Sequence, residues 1–303
     1  MWQSLPVNYV EPLFRPPSEA RSLIFQVTNG CSWNRCSYCE MYTDAQKKFR
    51  PRPEAELLAE IRACGERGLA PRRVFLADGD ALVLSMRRLR NILGEIRHSL
   101  PSVTRVSSYC LPANLKNKSD DDLRELHELG LKLVYVGAES GDDEVLRRID
   151  KGETFDSTVR ALQRASAAGI KTSVMILNGI GGRRLSEQHA LASARLVNAA
   201  QPDYLATLVL TFYRGPERFV SRFERDGDGG FEELDTVGLC REMKILLGAT
   251  ELDNTVFRSD HVSNHMVLKG VLGRDKARLL QQVDESIVYY ANHPEFEHGN
   301  FQY

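Results

Sequence analysis

The sequence predicts a parallel α/β fold, a (β/α)6 partial TIM barrel with a C-terminal α-rich closing segment. Three observations carry this expectation. Apolar runs rich in branched residues recur six times at spacings of roughly 25 to 50 residues, room for a crossover helix each time. The runs are near-continuously apolar, as strands are in a parallel sheet covered by helices. The length of 303 residues suits a barrel of alternating strands and helices, or two small domains. A flavodoxin-like or Rossmann sheet is the structural rival.

The first strand is expected over 23–28 (Leu-Ile-Phe-Gln-Val-Thr), closed by the Asn29-Gly30 turn. An amphipathic helix over 53–67 leads to the second strand at 74–77. The next helix, over 86–100, lines up Leu89, Ile92, Leu93 and Ile96 on one face. The third strand follows at 104–108, then a helix at 120–129 and the fourth strand at 132–137. A helix at 155–168, the fifth strand at 171–177, a helix at 186–200 and the sixth strand at 204–210 complete the series. From Phe212 the pattern loosens. Asp226-Gly-Asp-Gly-Gly230 reads as a linker, before a helix at 235–247, a short strand at 255–258 and a helix at 274–289. The expected organisation is an N-terminal extension over 1–20, a core over 21–211, and a substrate-side lid or closing segment over 212–303.

Composition narrows the function classes. The hydrophobic fraction of 42% and charged fraction of 27% are those of a globular domain. A formal net charge of −1 gives no global pull toward nucleic acid or a membrane. No signal-peptide pattern opens the chain, and no window approaches about 18 consecutive apolar residues. A cytoplasmic protein is expected. Of six cysteines, Cys64, Cys110 and Cys240 stand singly, and the other three crowd into Cys31-Ser-Trp-Asn-Arg-Cys36-Ser-Tyr-Cys39. Clustered thiols point to metal more than to disulfides. One reading is structural zinc with a distant histidine as fourth ligand, although zinc sites usually draw ligands in two spaced pairs. The other is an iron–sulfur cluster held by three thiolates, with one iron open to an exogenous ligand.

Parallel α/β folds gather functional groups at the C-terminal ends of their strands. After the first strand come the three cysteines, and after the second Ala77-Asp78-Gly79-Asp80. After the third comes Ser107-Ser-Tyr-Cys-Leu-Pro112, after the fourth Glu139-Ser-Gly141, and after the fifth Asn178-Gly179-Ile-Gly-Gly182.

The cysteine loop after the first strand, ending Cys36-Ser-Tyr38-Cys39, resembles that of the radical S-adenosylmethionine (SAM) superfamily. The resemblance extends over roughly residues 23 to 210. It implies a six-stranded part-barrel and a [4Fe–4S] cluster on Cys31, Cys36 and Cys39, with Tyr38 beside it. The free iron would chelate SAM, and one-electron reduction would yield a 5′-deoxyadenosyl radical that abstracts hydrogen from substrate. An electron donor such as flavodoxin or ferredoxin is implied. The usual spacing is three residues then two; here it is four then two, which leaves residues 32–35 without a pattern to follow. Ala77-Asp78-Gly79-Asp80 is similar to the superfamily's Gly-Gly-Glu stretch, whose backbone meets the methionine amino group. Tyr135-Val-Gly-Ala-Glu-Ser-Gly141 and the following segment to Thr154 resemble the branch of oxygen-independent coproporphyrinogen oxidase and the methylthiotransferases. The resemblance implies that Glu139 contacts SAM and that Lys151 approaches its carboxylate. The loop bearing Asn178 and Gly179 resembles the one that lies along the adenine. Tyr109 and Met175 stand where that oxidase carries a Glu and an Asp, so ribose recognition differs and the porphyrinogen activity is not implied.

Each singled-out residue also has a plainer reading. Glu139 suits a solvated strand end, Lys151 a surface lysine, and Asp78 and Asp80 helix caps. Cys110 is a hydrogen donor or substrate-linked thiol, or a buried core cysteine; Cys64 and Cys240 read as core. In the tail, Arg258, Asp260, His261 and Asn264 are substrate-side candidates, with His261 suited to proton transfer or to a structural hydrogen bond. Phe212-Tyr-Arg214 is a second candidate group. The basic run Lys47-Lys-Phe-Arg-Pro-Arg52 reads as a solvated loop, or as a surface for an acidic substrate or reductant. The substrate itself, small molecule or otherwise, is not legible. The alternative from another class is a non-catalytic iron–sulfur or zinc carrier.

Overall fold

The computed structural model describes residues 5–225 and 229–296. Linker residues Asp226, Gly227 and Asp228, residues 1–4 of the expected extension and 297–303 of the expected closing segment lie outside the described residues. Eight strands form one mostly parallel sheet. Their hydrogen-bonded order follows the chain: β1 (Leu23–Gln26), β2 (Arg73–Ala77), β3 (Arg105–Tyr109), β4 (Leu131–Glu139), β5 (Lys171–Asn178), β6 (Tyr204–Val209), β7 (Val256–Ser259) and β8 (Leu268–Val271). Chain order is what successive crossovers of one hand produce, as in a partial barrel. The ends of the sheet are β1 and β8, so it is not closed.

By compactness the chain falls into two units. The first comprises Met1–Asn34, Cys39–Val136 and Ala161–Thr172. In it β1, β2 and β3 pair in parallel, with Leu23 opposite Val74 and Val74 opposite Val106. Helices α1 (Glu54–Glu66) and α2 (Met86–Ser99) bury Leu57 and Ile61, and Leu89, Ile92, Leu93 and Ile96, as the periodicity predicts. Ser85 caps α2, and Ser119 with Asp122 forms a capping box at the start of α3 (Asp120–Glu128). The close approach of α1 to the end of α2 needs a glycine: a Cβ on Gly65 would lie 2.3 Å from the Ser99 carbonyl oxygen.

The second unit comprises Arg35–Tyr38, Gly137–Arg160 and Ser173–Tyr303. Here α5 (Gly182–Ala200) packs on α6 (Thr236–Ala249), which packs on α7 (Lys276–Asn292). Helix α4 (Phe155–Ala167) crosses the boundary between the units' segments. The tail extends the sheet further than the sequence suggests. Strand β7 pairs in parallel with β6, Tyr204 opposite Val256, and β8 returns antiparallel to β7. Strand β7 is the short strand expected at 255–258, displaced by one residue. Phe257 and Ser259 are buried and Arg258 between them is exposed.

Gly65→Ala is expected to lower stability by about 1–3 kcal/mol in thermal or urea denaturation, through overpacking. Gly94→Ala, within α2 and with open space at its Cβ position, is expected to raise it by about 0.5–1 kcal/mol.

Candidate functional site

In the first unit the cysteine loop is anchored by the residues that follow β2. Asp80 accepts hydrogen bonds from the Ser32 amide at 2.9 Å and from the Ser32 hydroxyl, and Asn114 donates to it at 3.4 Å. It makes no side-chain cap for the short helix after it. Asp78 is fully buried; it takes bonds from Lys47 Nζ, from Gln26 Nε2 at 2.8 Å and from the Gly30 amide at 3.3 Å. These carboxylates hold the loop from behind, which explains their density at this strand end. Between them Gly79 lies against Cys31, where a Cβ would sit 2.6 Å from the Cys31 Cβ. Ala77 is wholly buried at the end of β2. Within the first gap of the cysteine motif, Asn34 has a left-handed backbone (φ 43°) and its side chain donates to the Tyr42 carbonyl at 3.0 Å.

In the second unit the structure brings Tyr38, Glu139 and Lys151 together. Lys151 Nζ lies 3.0 Å from Glu139 Oε1, donates to the Tyr38 hydroxyl at 3.3 Å, and stands 5.9 Å from the Tyr38 ring centre. Both ionic groups are buried, unlike the solvated strand end and surface lysine of the plainer readings. Glu139 is left-handed (φ 64°). Gly137 makes its pose possible, since a Cβ there would lie 2.0 Å from Glu139 Oε1. Burial pushes the Cys36 thiol above its ordinary pKa, the Lys151 ammonium pulls it back, and the Glu139 carboxylate pushes it up. Cys36 therefore lies in the field of this pair.

The loop after β5 turns inward upon the protein. Asn178 shares a face of β5 with the fully buried Val174 and Ile176. Its carbonyl accepts from the Leu210 amide at 3.0 Å, and its side-chain Oδ1 is buried with no hydrogen-bond partner among the described residues. Gly179 (φ 82°) donates its amide to Glu242 Oε1 at 2.6 Å, and Ser186 donates to the other oxygen at 2.6 Å. His189 Nε2 lies 3.8 Å from Glu242, and its Nδ1 is 2.8 Å from the Ser140 hydroxyl. Ser193 accepts from the Gly141 amide at 2.9 Å. A buried chain of polar groups thus joins the loops after β4 and β5 through α5 and α6. Glu242 and His189 went unnoticed in the sequence because each reads as one residue on a helix. Burial holds His189 below its ordinary pKa, against the opposing pull of Glu242 and Asp142.

The remaining candidates are held locally. Cys110 is buried with Sγ 3.2 Å from the Leu111 carbonyl oxygen. Burial pushes Cys64 up to about 11 and Cys240 up to about 12, inert core thiols as expected. His261 Nδ1 meets the Ser263 hydroxyl at 2.8 Å, Asp260 pairs with Lys269 at 2.9 Å, and Asn264 donates to the Thr207 carbonyl at 2.8 Å. Arg258 donates to the Phe257 carbonyl at 2.7 Å. Phe212 packs on Phe219, while Tyr213 and Arg214 are exposed. The basic run is divided: Lys47 is fully buried, Arg52 pairs with Glu60 at 2.9 Å, and Lys48 and Arg50 are exposed. A solvated loop is therefore corrected at Lys47, whose charge answers Asp78. Tyr42 was also missed. Burial raises its pKa, with smaller pushes from Asp78, Tyr109, Cys39 and Cys31, and its hydroxyl has no hydrogen-bond partner among the described residues.

The family model of the Radical SAM superfamily matches residues 25–197, more than half of the chain. The chain belongs to the radical SAM superfamily. It is 22% identical over 181 residues to the heme chaperone HemW of Bacillus subtilis, covering 57% of this chain and 47% of HemW. The chain thus spans about half the length of that relative. The radical SAM methyltransferase TsrM from Kitasatospora setae, solved with cobalamin and a [4Fe–4S] cluster bound, superposes with a TM-score of 0.54 at 19% identity, covering 90% of this chain and 53% of that one. Coproporphyrinogen III oxidase HemN from Escherichia coli gives 0.50 at 14% identity, covering 88% and 71%. Both likenesses show the fold. Radical SAM enzymes use a [4Fe–4S] cluster and SAM; among the described residues no three His, Cys, Asp or Glu side chains are gathered as a metal-holding group, and the fit lies in the features around the cysteine loop. None of the six cysteines is in a disulfide, Gly79 offers bare backbone beside Cys31, and a buried carboxylate and ammonium match the two charges of an amino acid. Among the described residues no helix is long and apolar enough to cross a membrane.

Lys47→Met leaves Asp78 buried without its cation and is expected to cost about 3–5 kcal/mol in urea unfolding, whereas Lys48→Met should change stability by less than about 0.5 kcal/mol. Because the folded pKa of His189 is depressed, the unfolded chain binds more protons below about pH 6.5, so stability falls as pH drops through that value. His189→Gln should make the pH dependence of the melting temperature shallower there.

Proposed function

We propose that this chain is a radical SAM enzyme in which Cys31, Cys36 and Cys39 hold one [4Fe–4S] cluster. Cluster and SAM together supply one-electron cleavage of a carbon–sulfur bond, giving a 5′-deoxyadenosyl radical that takes hydrogen from substrate. The observation that carries the reading is the buried Glu139–Lys151 pair with Tyr38, in the field of Cys36. Lys151 would approach the carboxylate of SAM and Glu139 would contact the cofactor beside it, so the buried ammonium exchanges one carboxylate partner for another. The backbone of Ala77, Asp78, Gly79 and Asp80 meets the methionine moiety, and the loop at Asn178 and Gly179 shapes the adenine side. Residues 21–211 form the cofactor-binding core and 212–303 the substrate-side segment. Cys110 and His261 are the candidates for hydrogen and proton transfer to a small-molecule substrate. The electron comes from a flavodoxin- or ferredoxin-type donor, in the cytoplasm, where thiols stay reduced.

Anaerobically reconstituted protein is expected to carry about four irons per chain and, with dithionite, to convert SAM to methionine and 5′-deoxyadenosine. A full cluster without that cleavage would support a carrier instead. Lys151→Met is expected to weaken SAM binding about ten- to hundredfold, read by equilibrium binding to the reconstituted protein.

A further inference from the structure

The short helix Glu217–Phe223 lies beyond the family-matched segment, yet it reaches back to two of the groups just discussed. Its Phe219 and Phe223 are buried in a core cluster with Val145, Leu146 and Ile149, against which Tyr38 also packs. On the same helix Arg218 Nη2 donates to the Cys36 carbonyl at 3.0 Å, and Arg222 grips the Asp150 carboxylate with two hydrogen bonds. The peptide that follows Cys36 is held on its other side as well, because the Ser37 amide donates to the Ile149 carbonyl at 2.9 Å. Asp150 is left-handed (φ 53°) and directly precedes Lys151, whose amide is tied to the Leu146 carbonyl at 3.0 Å. Arg148 closes the assembly, donating to the Phe223 carbonyl at 2.9 Å.

We propose that this helix is a two-arginine clamp, in which Arg218 positions Cys36 for the cluster and Arg222, through Asp150, positions Lys151 for SAM. The inference rests on the radical SAM reading and extends it to residues outside the family-matched segment. Hydrogen bonding of a ligand's backbone fixes the orientation of its thiolate, and such supporting partners govern metal retention. A guanidinium bonded to the backbone carbonyl of a ligating cysteine also favours the more negative, reduced cluster, since every added electron deepens the cluster's negative charge. Arg218 is therefore a positioning residue that raises the cluster's reduction potential.

The test compares Arg218→Gln, Arg218→Lys and the charge control Arg214→Gln in anaerobically reconstituted full-length protein. The readouts are potential, from an EPR-monitored dithionite titration, and the rate of iron loss to a chelator. Arg218→Gln is expected to show a more negative potential than wild type and about ten- to hundredfold faster iron loss. Arg218→Lys keeps the charge but not the planar fork, so its potential should stay closer to wild type while its iron loss remains fast. Arg214→Gln should match wild type in both. Wild-type potential and iron retention in Arg218→Gln would overturn the clamp. If Arg218→Gln does not fold, by circular dichroism, Arg218→Lys decides alone, and wild-type iron retention there overturns the proposal. A wild-type protein that takes up no cluster overturns the functional reading itself, and this outcome is separate because it precedes any variant.

Discussion

The completely buried ion pair of Lys47 and Asp78 is the constraint on which the cysteine loop depends. A carboxylate taken out of water is tolerable only with a cation and further donors around it. Asp78 finds them in Lys47, Gln26 and the amide of Gly30, groups that flank the loop on both sides in sequence. One charge thus fixes where the end of β1 lies relative to the return segment at 45–51. Asp80 applies the same logic one residue pair later through Ser32. The loop carrying Cys31 is held by polar bonds with definite directions, where a purely apolar contact would let it slide.

A second buried pair, Glu139 with Lys151, obeys a different economy. Asp78 takes three donors that belong to the fold on its Oδ2, while its Oδ1 is buried with no hydrogen-bond partner among the described residues; Glu139 sits in a left-handed backbone conformation, and the bare Gly137 leaves room for its carboxylate. Conformations of this kind cost free energy and persist where the surroundings over-determine them. Lys151 pairs with Glu139 at 3.0 Å, its own amide is tied to the Leu146 carbonyl, and its neighbour Asp150 is gripped by Arg222.

Much of this was legible in the sequence. Strands and helices repeat with clear periods, so the order of β1 to β6 and the faces of α1 and α2 followed from pattern alone. The cysteine loop, Glu139 and Lys151 were visible because local motifs carry them. Lys47 was misread because burial of a lysine depends on a carboxylate 31 positions away, and nothing in a basic run distinguishes the buried member from its exposed neighbours. Glu242 and His189 were invisible for the same reason: their meaning arises only when α5 and α6 pack. Strand β8 escaped because four residues with a glycine in the middle give no usable alternation.

The bond from Glu242 to the Gly179 amide has a consequence for how this domain can be cut and recombined. The stretch matched by the family model ends at residue 197, and Glu242 lies well beyond it on α6. A fragment or chimera bounded at that limit would strand the Gly179 amide and the Ser186 hydroxyl, and would leave His189 facing a gap. The portable module is therefore longer than the matched stretch that identifies it. Any graft that exchanges the C-terminal region must bring its own acceptor to that position.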